Sequence, residues 1–475
     1  MIRIVVSLLL FIPWLVPSHV RAADGATRPN MVLILVDDLG WTDLGCQGSS
    51  FYKTPNIDRL ATEGMLFTQA YSACTVCSPT RAALLTGQYP ARLHVTDWIE
   101  GHKRPKAKLR VPDWTMHLPH ETTTIAEVLK QRGYTTATVG KWHLGSEAIE
   151  PTTHGFDVNI GGNHRGQPPS YFFPYERQNI SLPGLEEGQE GEYLTDRLTD
   201  EAIRWIEAHR DQPFFLYLPH YTVHTPIQAK AELIEKYKAT VDSSSPHKNA
   251  AYAAMIESLD QSVGRIMESL KKLKLDENTL VIFTSDNGGL MGVTSQPPLR
   301  AGKGSVYEGG VRVPLIVRYP GKVKPGKTSD EPVITMDLYH TLIELTAKGK
   351  PSAADAPADG VSLLPVLTGS GNLDRDAIYW HYPHYHPGGA APYSAIRAGD
   401  YRLIEFFEDG RTELYNLKDD IGEQNDIASS QPKKRDELLA KLAKWREQVG
   451  AQLPTPNPDY DPNAPLAKPA KAKRT

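Results

Sequence analysis

MVLILVDDLG, Met31–Gly40, is the stretch that decides the fold. Its first six residues form a short continuous apolar run, which reads as a buried strand. Two carboxylates follow at once. In open α/β sheets, ligands bind beyond the carboxyl ends of the strands. Neighbouring side chains of a regular strand point to opposite faces, so Asp37 and Asp38 can share one target only if the strand breaks there. Leu39-Gly40 permits such a break. Taken alone, the pair fits a solvated loop equally well.

The same pattern recurs along the chain. Thr123–Arg132 predicts a helix ended by Gly133, and Tyr134–Val139 the next strand. Tyr193–His209 predicts a helix before the strand Pro213–Leu218. The helix Ala250–Leu273 precedes the strand Thr279–Thr284. Val313–Tyr319 is a further strand and Asp337–Thr346 a further helix. Strand and helix in alternation imply an α/β domain with a largely parallel sheet, over residues 24–370. Beyond about Gly369 the pattern changes. Ala377–Tyr382, Tyr393–Ala398, Tyr401–Phe407 and Thr412–Leu417 are short strands separated by turn signals, and Lys433–Val449 is an amphipathic helix. Residues 371–451 therefore predict a small antiparallel sheet with one helix. From Gln452 to Thr475 the chain is rich in Pro, Ala and Lys, which predicts a disordered tail. His102–His120, basic and turn-rich, and Gly161–Glu192, rich in Gly, Pro and Gln, predict loops. No internal repeat is present.

A net charge of -4 over 475 residues argues against a nucleic-acid binder, which usually shows a basic face. At the N-terminus, Arg3 precedes the apolar run Ile4–Val16, and Val20-Arg21-Ala22 offers a small residue at the cut. Residues 1–22 predict a cleaved signal peptide. The run is too short to span a bilayer comfortably, so no stable membrane anchor is expected. No cysteine lies near the cut, which argues against a lipoprotein. The expected location is secreted or periplasmic. The only cysteines are Cys46, Cys74 and Cys77. This is not a disulfide framework, and the odd count leaves at least one thiol without an intramolecular partner.

A second acidic tip, Ser285-Asp286-Asn287-Gly288-Gly289, follows another apolar strand. Asp37, Asp38, Asp286 and Asn287 offer only oxygen ligands, which suit Ca²⁺, with Mg²⁺ second, rather than Zn²⁺. One sheet edge could bring the two tips together. Between them lies Cys77-Ser78-Pro79-Thr80-Arg81-Ala82-Ala83-Leu84-Leu85-Thr86-Gly87. Ser78 suits an N-cap, Pro79 a first helical residue and Gly87 the C-terminal stop. Cys77 then sits just before a helix N-terminus, where backbone N–H groups and the dipole favour an anion. Arg81, four residues on, can reach the same end. A buried inert cysteine is the usual alternative.

This segment resembles the type I sulfatase signature Cys-x-Pro-x-Arg with its Ala-x-Leu-Leu-Thr-Gly extension. Thr80 and Gln88 stand where Ser and Arg are commoner. Gly140-Lys141-Trp142-His143-Leu144-Gly145 is similar to the second family block, Leu299–Gly304 with Glu308–Pro314 to the third, and Pro219–Pro226 to the family's histidine loop. The resemblance spans roughly Asn30 to Asp426 and implies an alkaline-phosphatase-like α/β fold. It implies that Cys77 is oxidised to formylglycine by a formylglycine-generating or anaerobic sulfatase-maturing enzyme. One hydroxyl of the hydrated aldehyde attacks sulfur, and the other lets the sulfated intermediate collapse. By the same resemblance Asp37, Asp38, Asp286, Asn287 and residue 77 hold the cation, and Arg81 stabilises formylglycine. Lys141 and Lys303 balance the sulfate, His143 is the base that collapses the diol, and His224 protonates the leaving alcohol, a task suited to a near-neutral pKa.

His381-Tyr382-Pro383-His384-Tyr385-His386 is either a polar loop between strands or a substrate collar, with Arg397 as a further donor. The resemblance to bacterial polysaccharide sulfatases makes a sulfated carbohydrate the expected substrate, as galactose or N-acetylgalactosamine sulfated at O4. Two alternatives stand beside it. One is a phosphonate monoester or phosphodiester hydrolase of the same superfamily. The other is an inactive sulfated-glycan binding protein, against which the full set Cys77, Lys141, Lys303, His143 and His224 argues.

Overall fold

The computed structural model describes residues 28–146, 148–177, 180–242, 244–347 and 359–464. The expected export segment lies outside them. The strand Asn30–Val36 sits inside an eight-stranded sheet. The order across that sheet is Lys327–Ser329, Met65–Phe67, Leu315–Arg318, Thr279–Ser285, Asn30–Val36, Phe214–Pro219, Thr135–Val139 and Val158–Ile160. Only Leu315–Arg318 runs against its neighbours; the other pairings are parallel.

Period-two alternation explains the continuous apolar run. Val32, Ile34 and Val36 enter one core, and Met31, Leu33 and Leu35 the other, all fully buried. The first core is covered by the helices Pro55–Glu63, Leu194–Ala208, Ala231–Lys238 and Ala250–Lys272. The second is covered by Ile125–Gln131 and Asp337–Thr346, with apolar residues of Cys77–Thr86. The Ile125 helix starts at a capping box, with Thr124 accepting from Glu127 N and the Glu127 carboxylate from Thr124 N.

The four strands Ile378–Tyr382, Tyr393–Ala398, Tyr401–Phe406 and Thr412–Asn416 form the antiparallel sheet, packed on the helix Pro432–Val449. The two-residue turn between the register partners Ala398 and Tyr401 begins at Gly399, whose φ of 57° a side chain would resist. The tail expectation is corrected. Thr455–Pro456 pairs antiparallel with Leu109–Arg110, and the Asn457 side chain donates to the carbonyls of Pro105 and Ala107 at 3.0 and 2.7 Å. Pairing of backbone with a free edge needs no apolar side chains, so composition did not announce it. Residues 465–475 lie outside the described residues.

The small sheet is tied to the large domain by a buried charge knot. Arg402 donates to Glu308 Oε1 at 2.7 Å and lies 3.4 Å from Glu423. Tyr71 donates to Glu308 Oε2 at 2.8 Å, and Glu308 N donates to Glu423 at 2.6 Å. Burial pushes the Glu308 carboxyl up, but Arg402, Arg312 and Arg397 outweigh it and hold the group below its ordinary value. Arg402→Ala should strand Glu308 without its main counter-charge, at a cost of roughly 3–5 kcal/mol. Urea unfolding will check this; a loss below 1 kcal/mol, as for a surface pair, would contradict it.

Candidate active site

Four neighbouring parallel strands end at one edge, and each is followed by predicted site residues. Val36 and Ser285 are register partners, so Asp37-Asp38 and Asp286-Asn287 leave the sheet side by side. Thr135–Val139 leads to Lys141 and His143, and Phe214–Pro219 leads to His224. The strand does break beside the first pair, but at Asp38 itself, one residue before the expected Leu39-Gly40. Asp38 adopts a φ of 64°, a left-handed conformation that a non-glycine residue takes only when its surroundings hold it. Those surroundings are explicit. Asp38 N donates to Asp286 Oδ1 at 3.2 Å, Leu39 N to Ser285 Oγ at 3.1 Å and Gly40 N to Asp43 Oδ2 at 2.9 Å. The Tyr252 hydroxyl lies 2.7 Å from Asp43 Oδ2 and 3.3 Å from the Asp38 carbonyl.

Asp37, Asp38, Asp286 and Asn287 are buried, facing three buried cations. Lys141 Nζ lies 2.6 Å from Asp37, Lys303 Nζ 2.6 Å from Asp38, and Arg81 Nη2 2.8 Å from Asp286 and 3.7 Å from Asp37. Burial, reinforced by Asp286 and Asp38, pushes the Asp37 carboxyl above its ordinary range despite Lys141 and Arg81. Asp38 also suffers desolvation, but Lys303, His224 and the Asn287 amide hold it below that range. Three buried oxygens, Asp37 Oδ1, Asp38 Oδ2 and Asn287 Oδ1, accept no hydrogen bond. Such atoms are costly unless something else satisfies them. Hard oxygen donors with spare lone pairs, one on a carboxylate that burial disfavours, fit a Ca²⁺ or Mg²⁺ ion. His224 Nε2 lies 3.7 Å from Asp38 Oδ2 and joins Asp37 and Asp38 in a potential metal-holding group.

Cys77 is the first residue of the buried helix Cys77–Thr86, with Val76 at the cap position. The expectation that Ser78 is the cap is corrected. The Ser78 hydroxyl donates to the His143 carbonyl at 2.9 Å and accepts from Ile99 N at 3.1 Å. Cys77 Sγ lies 3.3 Å from His143 Nδ1. His143 Nε2 lies 2.5 Å from the Ile99 carbonyl and must donate there. Burial and Lys141 push His143 well below its ordinary pKa, so the ring is neutral and Nδ1 presents a lone pair to residue 77. Burial raises the Cys77 thiol against Lys141 and Lys303. Arg81 donates to Asp286 at 2.9 Å and to the Lys141 carbonyl at 3.2 Å. All three cysteines are free.

The near-neutral pKa expected for His224 is corrected. Burial, with Lys303, pushes it down to about 3 against the pull of Asp38. Its Nδ1 lies 2.8 Å from the Thr225 carbonyl and donates to it, leaving Nε2 bare.

The histidine cluster divides. His381 bonds Ser394 Oγ at 2.8 Å and the Gln452 carbonyl at 2.8 Å, and is buried. Arg397 is buried against Tyr71, Gln69 and the Gly399 carbonyl. Both are held by the protein itself: Arg397 is the register partner of Ile378, three residues from His381, so the two point to opposite faces of the sheet, Arg397 onto Tyr71 and Gln69 and His381 onto Gln452. His384 is also buried, 2.8 Å from Thr96 Oγ1. Of the four proposed substrate contacts, His386 is the one at the site's edge, where a Cβ on Gly304, next to Lys303, would meet its ring. Sequence reasoning missed Trp98 and His102. Trp98 Nε1 donates to His102 Nδ1 at 2.9 Å, and its ring lies 6.4 Å from that of His143. The spacing Trp98-x-x-x-His102, just beyond the cysteine helix, was the one available signal.

Comparison with known proteins agrees with this geometry. The sulfatase family matches residues 29–348, and the C-terminal region of N-sulphoglucosamine sulphohydrolase matches residues 302–451. A sulfatase of Formosa agariphila is 35% identical, covering 93% of each chain. The N-acetylgalactosamine-6-sulfatase of Canis lupus familiaris is 34% identical over 76% of this chain and 70% of its own. The crystal structure of Ps i-CgsB superimposes with a TM-score of 0.74 at 31% identity, covering 91% of this chain and 95% of that one. It has also been solved in complex with k-i-k-neocarrahexaose. With this fold, this site and these relatives, the chain belongs to the sulfatase family and is a sulfuric ester hydrolase.

Proposed function

We propose that the protein is exported and removes sulfate from sulfated carbohydrates, using formylglycine made from Cys77 and a bound Ca²⁺, with Mg²⁺ second. The observation that carries this reading is residue 77 itself. It sits at a buried helix N-terminus, 3.3 Å from a bare imidazole nitrogen and beside carboxylate oxygens that accept no hydrogen bond.

Asp37, Asp38 and Asp286 cancel Arg81, Lys141 and Lys303 in formal charge. A divalent cation then leaves the site positive, which favours a sulfate monoester. When bound, such a cation acidifies a ligating hydroxyl and polarises a sulfate oxygen. Formylglycine, hydrated by one water, would supply one hydroxyl as the nucleophile and a second whose deprotonation releases sulfate and restores the aldehyde. Lys141 and Lys303 stabilise charge on the sulfate oxygens. His143 Nδ1 accepts the proton from residue 77, while its Nε2–H stays fixed on the Ile99 carbonyl. His224 begins neutral with Nε2 bare. A sulfate anion beside it raises its proton affinity, so it gains a proton with substrate in place and delivers it to the leaving oxygen.

The relatives support a galactan-type or N-acetylgalactosamine sugar. The name of one specifies the 6-sulfate, so O4 and O6 both belong in the test. Sulfate release from a panel of defined oligosaccharides, with 4-nitrophenyl sulfate, phosphate and phosphonate esters alongside, is the deciding experiment. Sulfate release from a sugar is the expected result. Faster phosphonate or phosphodiester cleavage with no sulfate release would overturn it.

Peptide mass spectrometry of active protein should show residue 77 about 18 Da lighter than cysteine, as conversion of the thiol to an aldehyde requires. Cys77→Ala should abolish turnover with unchanged thermal unfolding. Full activity from wholly unmodified Cys77 would refute the mechanism.

Calcium should raise the melting temperature of chelated protein, by about 2.7 kcal/mol of stability at a hundredfold excess over Kd. The effect should grow between pH 5 and pH 8. Burial raises the Asp37 carboxyl, so the metal-free fold loses stability as pH rises above about 4, where the unfolded group ionises. Cation binding needs the ionised form. Stabilisation that shrinks with pH, or that zinc alone produces, would exclude this ligand set.

A further inference from the structure

The loop at 103–110, Lys-Arg-Pro-Lys-Ala-Lys-Leu-Arg, holds the cations Lys103, Arg104, Lys106, Lys108 and Arg110. All but the half-buried Arg104 are exposed. Among the described residues, none of the five has a carboxylate within ion-pair distance. Of the acids nearby, Glu408 accepts from Tyr385 at 2.7 Å, and Asp461 from Asn463 N at 2.9 Å.

The loop is held, and held beside the site. Thr455–Pro456 pairs with Leu109–Arg110, Asn457 binds the Pro105 and Ala107 carbonyls, and Leu109 N donates to the Tyr385 hydroxyl at 3.0 Å. The residue after Tyr385 is His386, packed on Gly304 next to Lys303. His102, at the start of the loop, has its ring 5.0 Å from that of His386. Burial pushes both rings down, to about 4 for His102 and about 3 for His386, and Arg104 and Lys303 both contribute. The two rings therefore join the edge of the site, at His386 beside Gly304, to the start of the loop.

We propose that residues 103–110 form a cationic rim that binds anionic groups on the sugar units flanking the reacting sulfate, so that the preferred substrate is a polyanionic oligosaccharide. This rests on the reading of the site as a carbohydrate sulfatase. Neutral or singly sulfated sugars leave the rim without partners, whereas a chain with repeated sulfate or carboxylate groups can engage the lysines and be steered into the site.

The test compares wild type with the double variant Lys106→Glu/Lys108→Glu, both exposed positions. The substrates are a multiply sulfated oligosaccharide, its singly sulfated counterpart and 4-nitrophenyl sulfate. KM for the multiply sulfated substrate should rise roughly tenfold, with kcat little changed and no change on the two small substrates. In about 0.5 M NaCl, where the Debye length falls to roughly 4 Å, wild type and variant should converge. An equal KM on the multiply sulfated substrate, or an equal rise on all three, would overturn the rim. If wild type releases sulfate from no sugar, the functional reading fails instead. Direct titration of both proteins with the multiply sulfated oligosaccharide then still decides the rim, because loss of binding in the variant is expected and equal binding refutes it.

Discussion

The structure turns on one constraint: three carboxylates are packed with three cations, out of water, at the carboxyl edge of a parallel sheet. Burial of charge is expensive, and only near-complete mutual pairing makes it tolerable. Here the pairing is almost complete, through Lys141 on Asp37, Lys303 on Asp38 and Arg81 on Asp286. The shortfall is local. It falls on Asp37 Oδ1, Asp38 Oδ2 and Asn287 Oδ1, the atoms that a hard cation would complete. The left-handed turn at Asp38 belongs to the same arrangement, since an extended backbone there would send its carboxylate to the opposite face from that of Asp37.

Around that centre the supporting parts are rigid for identifiable reasons. Ser78 joins the cysteine helix to the His143 carbonyl and to Ile99 N, and Ile99 in turn fixes the tautomer of His143. One residue of the helix's first turn thus sets the spacing between Cys77 and His143. The second sheet is clamped on by Arg402, Glu308 and Glu423, and by the Trp380 indole donating to the Ser72 carbonyl at 2.9 Å. That clamp lets residues from the C-terminal part of the chain, His386 among them, border a site built by the N-terminal part.

Much of this was legible before any coordinates. Buried strands announced themselves as unbroken apolar runs, and amphipathic helices by their period, so Asp337–Thr346 and Tyr393–Ala398 fall at the residues expected. Errors of one or two residues at other ends reflect caps that side chains outside the element decide. Val76 rather than Ser78 heads the cysteine helix because the Ser78 hydroxyl is occupied elsewhere. Histidine and arginine side chains were harder to place. His381 and Arg397 look like ligand contacts by type, but they lie on opposite faces of a sheet that is covered on both sides, and each is buried there.

Sequence by itself determined the alternation of strands and helices, the chemistry of the acidic tips and the cysteine-bearing helix, because these depend on local period and residue type. Only the tertiary structure decided that Val36 and Ser285 are register partners, since nothing local sets the order of strands in a sheet. It alone set the surroundings that push His224 and His143 below their ordinary pKa, which follow from burial and from neighbours distant in sequence. It alone also brought residues 455–457 back to hold the basic loop, because backbone pairing at a sheet edge leaves no pattern in the side chains that form it.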